Sequence, residues 1–132
     1  MKRRFLFVIS LGVLSSCGGA SSQSTAVPSP TLSSIQSVIL TPTCASFGCH
    51  ASANPQGGLV LEAGSSFNNL VGRQSTSVFG GFRVLPGDAT SSVLIKRLEG
   101  TVPPQMPQDR LALTTAQIDA IREWIRNGAL DN

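Results

Sequence analysis

The chain is short of the side chains that hold metals. Its 132 residues contain one histidine, three cysteines and two methionines, one of them the initiator. Cys44, Cys49 and His50 together fall one ligand short of a closed four-coordinate zinc site unless Met106 or an acidic residue joins them. Charge is sparse as well, at 13% of residues. The formal net charge of +3 is supplied by Lys2, Arg3 and Arg4, and beyond them seven basic side chains balance seven acidic ones. No basic patch remains to suggest nucleic acid or another polyanion as a partner. There is no internal repeat and no convincing pair of strand-like segments. The one apolar run at the amino terminus, Phe5 to Leu14, is too short to span a membrane stably.

That amino terminus has a basic start, a short apolar core and small residues leading to Leu14-Ser15-Ser16-Cys17, the layout of a secretory signal. Leu-Ser-Ser-Cys resembles the bacterial lipobox. The resemblance implies removal of a signal peptide over residues 1–16, diacylation of Cys17, and anchoring to a membrane of the bacterial cell envelope. Gly18 in place of aspartate implies, in a Gram-negative host, the outer membrane facing the periplasm. From Gly18 to Pro30 the chain is small and polar with two prolines near its end, a composition that reads as a flexible tether over residues 17–30. The folded part is then residues 31–132, one domain of a size at which a bound cofactor would add considerably to a limited core.

Two of the three cysteines and the only histidine fall within Cys44-Ala45-Ser46-Phe47-Gly48-Cys49-His50. A cysteine pair closed by histidine is the attachment signature of c-type haem, in which two thiols add to the porphyrin vinyl groups and the adjacent imidazole binds iron. The usual form has two residues between the cysteines; here there are four, Ala45 to Gly48. The Cys49-His50 adjacency is kept, and it is the geometrically demanding part. A loop containing Ser46 and Gly48 can bulge outward and still let Cys44 reach the second vinyl, because glycine accepts backbone conformations that other residues resist. On the motif alone a second reading stands beside this one: a small structural disulfide between Cys44 and Cys49, with His50 an ordinary surface residue.

Helical periodicity and caps place the remaining elements. A first helix fits Leu32 to Leu40, with Thr31 or Ser33 as cap, and Pro42 is expected to end it. Asn54 to Gly58 is a turn, and Leu59-Val60-Leu61 a short buried run. One or two helical turns fit Ser65 to Val71. Asp88 or Ser91 caps a helix from about Ala89 to Glu99, with Val93, Leu94 and Leu98 buried and Gly100 as its stop. In the final helix Thr114 and Gln117 make a capping box, Ile118, Ile121 and Ile125 an apolar stripe, Trp124 a core aromatic, and Gly128 the end. The class expected is all-α: a small, loop-rich domain of three to four short helices.

Met106 sits in Pro103-Pro104-Gln105-Met106-Pro107. Three prolines stiffen the segment, and stiffness suits a weak thioether ligand that must be held in place before it binds. Packing into a core gap is the plainer role for a methionine, but its proline-flanked loop position favours ligation. The order of a short helix, Cys…Cys-His, Gly-Gly-Leu-x-Leu, Val-Leu-Pro-Gly-Asp, Met-Pro and Ile-x-x-Ile-x-x-Trp-Ile-x-x-Gly-Ala resembles the planctomycete-type cytochrome c domain. It covers the chain from Ile35 to Ala129. The resemblance implies a cytochrome c-like fold around one covalently bound haem c, with Cys44 and Cys49 as the linking thiols and His50 and Met106 as the iron ligands. Arg73, Arg83 and Arg110 are candidates to pair with haem propionates, against the plainer reading of solvated arginines. With both axial faces taken and no second histidine, the function expected is outer-sphere electron transfer to a redox partner protein rather than catalysis. The rivals are a haem-free lipoprotein stapled by a Cys44-Cys49 disulfide, and a thiol-disulfide exchanger. The latter is disfavoured by the wide spacing and the lack of a thioredoxin-like βαβ context.

Overall fold

The computed structural model describes residues 24–132. The expected signal peptide and the expected lipidation site, Cys17, lie outside the described residues. What is described is helical. Among these residues there is no strand, only isolated bridges such as Val71 with Val84 and Gln74 with Phe82, and no helix is long and apolar enough to cross a membrane.

Helix α1 (Leu32–Ile35) starts where the Thr31 side chain accepts from the Ser34 N–H. Its first-turn donors are also met by the far end of the chain, since Ser33 N donates to the Asn132 carbonyl and Leu32 N to the Asn132 side chain. Pro42 does not end this helix. The chain continues from Gln36 to Cys44 in wider π-type turns with Pro42 inside, and Ala45 N donates five residues back to Leu40 O at 2.7 Å. Proline lacks an N–H and its ring crowds the carbonyl four residues earlier; a wider turn relieves that crowding while keeping the direction of the helix. Cys44 therefore rides on the last turn of the helix instead of following a break.

Helix α2 (Ser66–Leu70) is one turn, as the sequence suggests. Helix α3 (Val93–Glu99) begins about one turn later than its sequence signals. Asp88 does accept from Ser91 N at 2.9 Å, but this closes a turn. The fully buried Ser92 then donates to Asp88 O and accepts from Leu85 N, so its hydroxyl serves the preceding loop and leaves the helix start without a side-chain cap. Ile95, passed over in the sequence, is buried with Val93 and Leu98, while Leu94 is half-buried.

Helix α4 (Thr115–Arg126) has the expected capping box in full. Ile118, Ile121, Trp124 and Ile125 are buried against Leu32, Ile35, Ile39 and Leu98. Trp124 Nε1 donates to Leu130 O at 2.8 Å, so the buried indole leaves no donor unmet. The packed region reaches further toward the amino terminus than residue 31. Gln117, itself buried, donates to Ser24 O and Ala26 O, both at 2.9 Å, and Pro28 is buried.

Candidate functional site

Cys44, Cys49, His50 and Met106 all line one cavity of about 640 Å³, within the roughly 300–1,000 Å³ range of small-molecule and cofactor sites. Its walls are mainly apolar and come from every part of the fold: Ile39 and Leu40 from the helix before the motif, Leu59 and Leu61 after it, Leu94 and Leu98 from α3, and Ile121 from α4.

The Cys44 to His50 stretch is a closed bulge. Cys49 N donates to Ser46 O at 3.0 Å and His50 N reaches back to Cys44 O at 3.2 Å. Gly48 takes φ +80°, a region open to glycine at little cost, and Phe47 is thrown out into solvent at 86% exposure. The bulge thus takes up the wider spacing with Phe47 in solvent and Gly48 on the cavity wall. Both cysteines are free thiols. Burial pushes the Cys44 thiol up to about 12, with nearby Cys49 adding to the shift and Arg110 opposing it. A thiol this reluctant to ionise is a poor nucleophile for disulfide exchange.

The His50 ring is oriented. Its Nδ1 lies 3.1 Å from Leu59 O; a carbonyl can only accept, so the ring proton sits on Nδ1 and Nε2 keeps a free lone pair. Such an outer partner fixes the tautomer and raises the basicity of a ligating imidazole. Burial lowers the His50 pKa below its ordinary value, partly countered by hydrogen bonds to Leu59 and Gln56 and reinforced by the charge of Arg83. That direction favours the neutral imidazole, the form that can bind a Lewis acid.

Met106 is held from behind. The proline-rich loop folds back on the end of α3, whose last carbonyls have no partner within the helix. Met106 N donates to Arg97 O at 2.8 Å, Val102 N to Lys96 O at 3.3 Å, and the Gln105 side chain to Leu98 O at 3.1 Å. The thioether is half-buried against the core. Arg97, which also lines the cavity, donates to Pro104 O and to Ser77 Oγ, both at 3.2 Å. The signal for it was present in the sequence: Leu94, Arg97 and Leu98 share one face of a helix, and a charged residue within an apolar face implies a local use.

The three arginines singled out in the sequence separate. Arg83 and Arg110 line the cavity, while Arg73 lines a neighbouring polar cleft with Asn69, Gln74 and Arg83. Arg110 donates to Ser46 Oγ at 3.2 Å, tying the loop after Met106 to the cysteine bulge. Arg83 is not merely solvated: it is half-buried, and its guanidinium donates to three backbone carbonyls.

No group of three or more His, Cys, Asp or Glu side chains gathers among the described residues. One imidazole, one thioether and two thiols around an apolar cavity are donor types that suit a metal carried in an organic ring. The chain matches no protein-family model, no curated protein and no solved structure.

Proposed function

We propose that the chain is a single-haem c-type cytochrome of the planctomycete-type kind, held at the bacterial cell envelope by lipid on Cys17 and passing electrons to and from a redox partner protein. The observation that carries this reading is that His50, with Nδ1 engaged by Leu59 O, shares one apolar cavity with Met106 and both thiols. A bound haem would supply a one-electron iron couple there.

The roles of the chain's own residues follow. His50 would hold the iron through Nε2, and Met106 would hold it more weakly through its thioether, kept in reach because its loop is bonded to the end of α3. A histidine and methionine pair would favour the reduced iron more than two histidines would, and the activity proposed is electron transfer rather than catalysis. Cys49 and Cys44 would retain the group covalently through their thiols. The apolar walls exclude water from the iron, and Arg83, Arg97 and Arg110 supply positive charge for carboxylates on the ring edge.

The test is expression of the full chain in a host with a c-type haem maturation system. Haem that stays with the denatured protein band, and is lost in the paired Cys44→Ala and Cys49→Ala variant, supports the reading. A colourless protein with Cys44 and Cys49 joined in a disulfide overturns it in favour of a haem-free structural lipoprotein.

A further inference from the structure

Leu59 O orients His50, and the backbone carrying it is tied to the motif on both sides, Gln56 N donating to Cys49 O at 2.7 Å and Leu61 N to His50 O at 2.8 Å; the turn between these ties is held by other means. Leu59 follows a 3₁₀ turn (Gln56–Gly58) that is exposed throughout. Gly57 and Gly58 take φ +62° and +61° and have no side chains with which to anchor themselves. Glycine makes the turn possible and also leaves it loose. Two side chains reach in from elsewhere. Arg83 Nη2 donates to Gly57 O at 3.0 Å and to Gly58 O at 3.3 Å, while its Nη1 donates to Asn69 O at 2.9 Å. Thr76 Oγ1 donates to Gly57 O at 3.0 Å.

Arg83 is itself fixed along its backbone. Its N–H donates to Arg73 O at 2.7 Å, and its carbonyl accepts from Leu94 N at 2.9 Å, in the first turn of α3. Its neighbour Val84 is fully buried and donates to Leu70 O at 3.1 Å. The guanidinium thus joins a rigid post, built on α2 and α3, to the glycine turn that precedes Leu59. Among the described residues no carboxylate pairs with Arg83, so its donors are committed to carbonyls.

We propose that Arg83 is a positioning residue: by clamping the Gly57-Gly58 turn it holds Leu59 O against His50 Nδ1 and so sets the tautomer and donor strength of the imidazole. This rests on the haem reading for its use, but the clamp is a property of the unliganded chain and is tested there. His50 is the sole histidine, so its ring nitrogens give unambiguous signals in long-range proton–nitrogen NMR spectra of the ¹⁵N-labelled full chain. The wild-type chain is expected to hold the Nδ1–H form. Arg83→Gln should shift the population toward the Nε2–H form that free imidazole side chains favour, Arg83→Lys should restore part of it, and Thr76→Val, which removes one bond from an exposed residue, should give a smaller shift in the same direction.

An Nε2–H form in the wild type, or an unchanged tautomer in both Arg83→Gln and Thr76→Val with native Trp124 fluorescence, would overturn the proposal. Should Arg83→Gln lose that fluorescence, Thr76→Val decides alone: a shift supports the clamp and no shift overturns it. Failure to load haem would defeat the functional reading and leave the NMR result standing.

Discussion

Gly48→Ala is the sharpest probe of the widened cysteine motif. Gly48 has φ +80°, and a Cβ added there would meet nothing within 4 Å. Any cost of the substitution therefore comes from the backbone alone, with no steric clash to confuse it. An L-residue in the left-handed region is worse than glycine by about 1–2 kcal/mol, which for a domain of this size lowers the melting temperature by about 4–8 °C per kcal/mol. The strain falls on the bulge closed by Cys49 N to Ser46 O and His50 N to Cys44 O, so Cys44 and Cys49 lose their fixed separation along with stability. Urea denaturation of the unliganded chain followed by Trp124 fluorescence gives the energy, and haem staining of denaturing gels gives the yield of attached cofactor. Gly48→Asn is the control, since asparagine tolerates this backbone better, and should recover a good part of both. If Gly48→Ala matches the wild type in stability and in haem yield, the bulge does not depend on a left-handed residue and the account of the extra two positions is wrong.

Removing the Gln117 side chain with Gln117→Ala should destabilise the chain by about 1–3 kcal/mol, because Ser24 O and Ala26 O lose their donor and Thr114 N its acceptor; hydrogen exchange should show the stretch before Pro28 opening first. Cys44 in the unliganded chain should resist alkylation at neutral pH, given a thiol pushed up to about 12, and mass spectrometry of iodoacetamide-treated protein would expose a reactive Cys44 if that is wrong. Stability should fall with acidification below about pH 4.5. Hydrogen bonds from Ser52 hold the Glu62 carboxyl below its ordinary 4.5, and bonds from Ser91 hold Asp88 below 3.8. In that range the unfolded chain binds more protons than the folded one, so stability rises with pH there. Melting curves across the window should show a shallower fall for Glu62→Gln, and an identical slope would refute the assignment.

What was legible in the sequence is what is decided locally. The capping box of Thr114 and Gln117 and the stripe of Ile118, Ile121 and Ile125 depend on neighbours a few positions away, and all are found as expected. Pro42 misled because the rule that proline stops a helix assumes turns of 3.6 residues, and this helix widens instead. The late start of α3 escaped because Ser92 is engaged by Leu85, a partner that only the folded loop brings near. Cys44, Cys49, His50 and Met106, which line one cavity, could be singled out from spacing and residue type, since Cys49-His50 adjacency and a methionine among prolines are local signals. The support behind them could not: Arg83 meets carbonyls at residues 57, 58 and 69, and Met106 is seated by the end of a helix several residues earlier. No periodicity encodes such meetings.

The proposed function requires that His50 and Met106 together hold the iron of one covalently attached haem. The most direct measurement is the absorption spectrum of the full chain matured with haem, wild type beside Met106→Ala, with a haem-stained denaturing gel of each. The account predicts haem that stays with both denatured bands, a low-spin spectrum in the wild type, and loss of the methionine-to-iron band in Met106→Ala alone. A wild-type protein without haem, or a band that survives the loss of Met106, would contradict it.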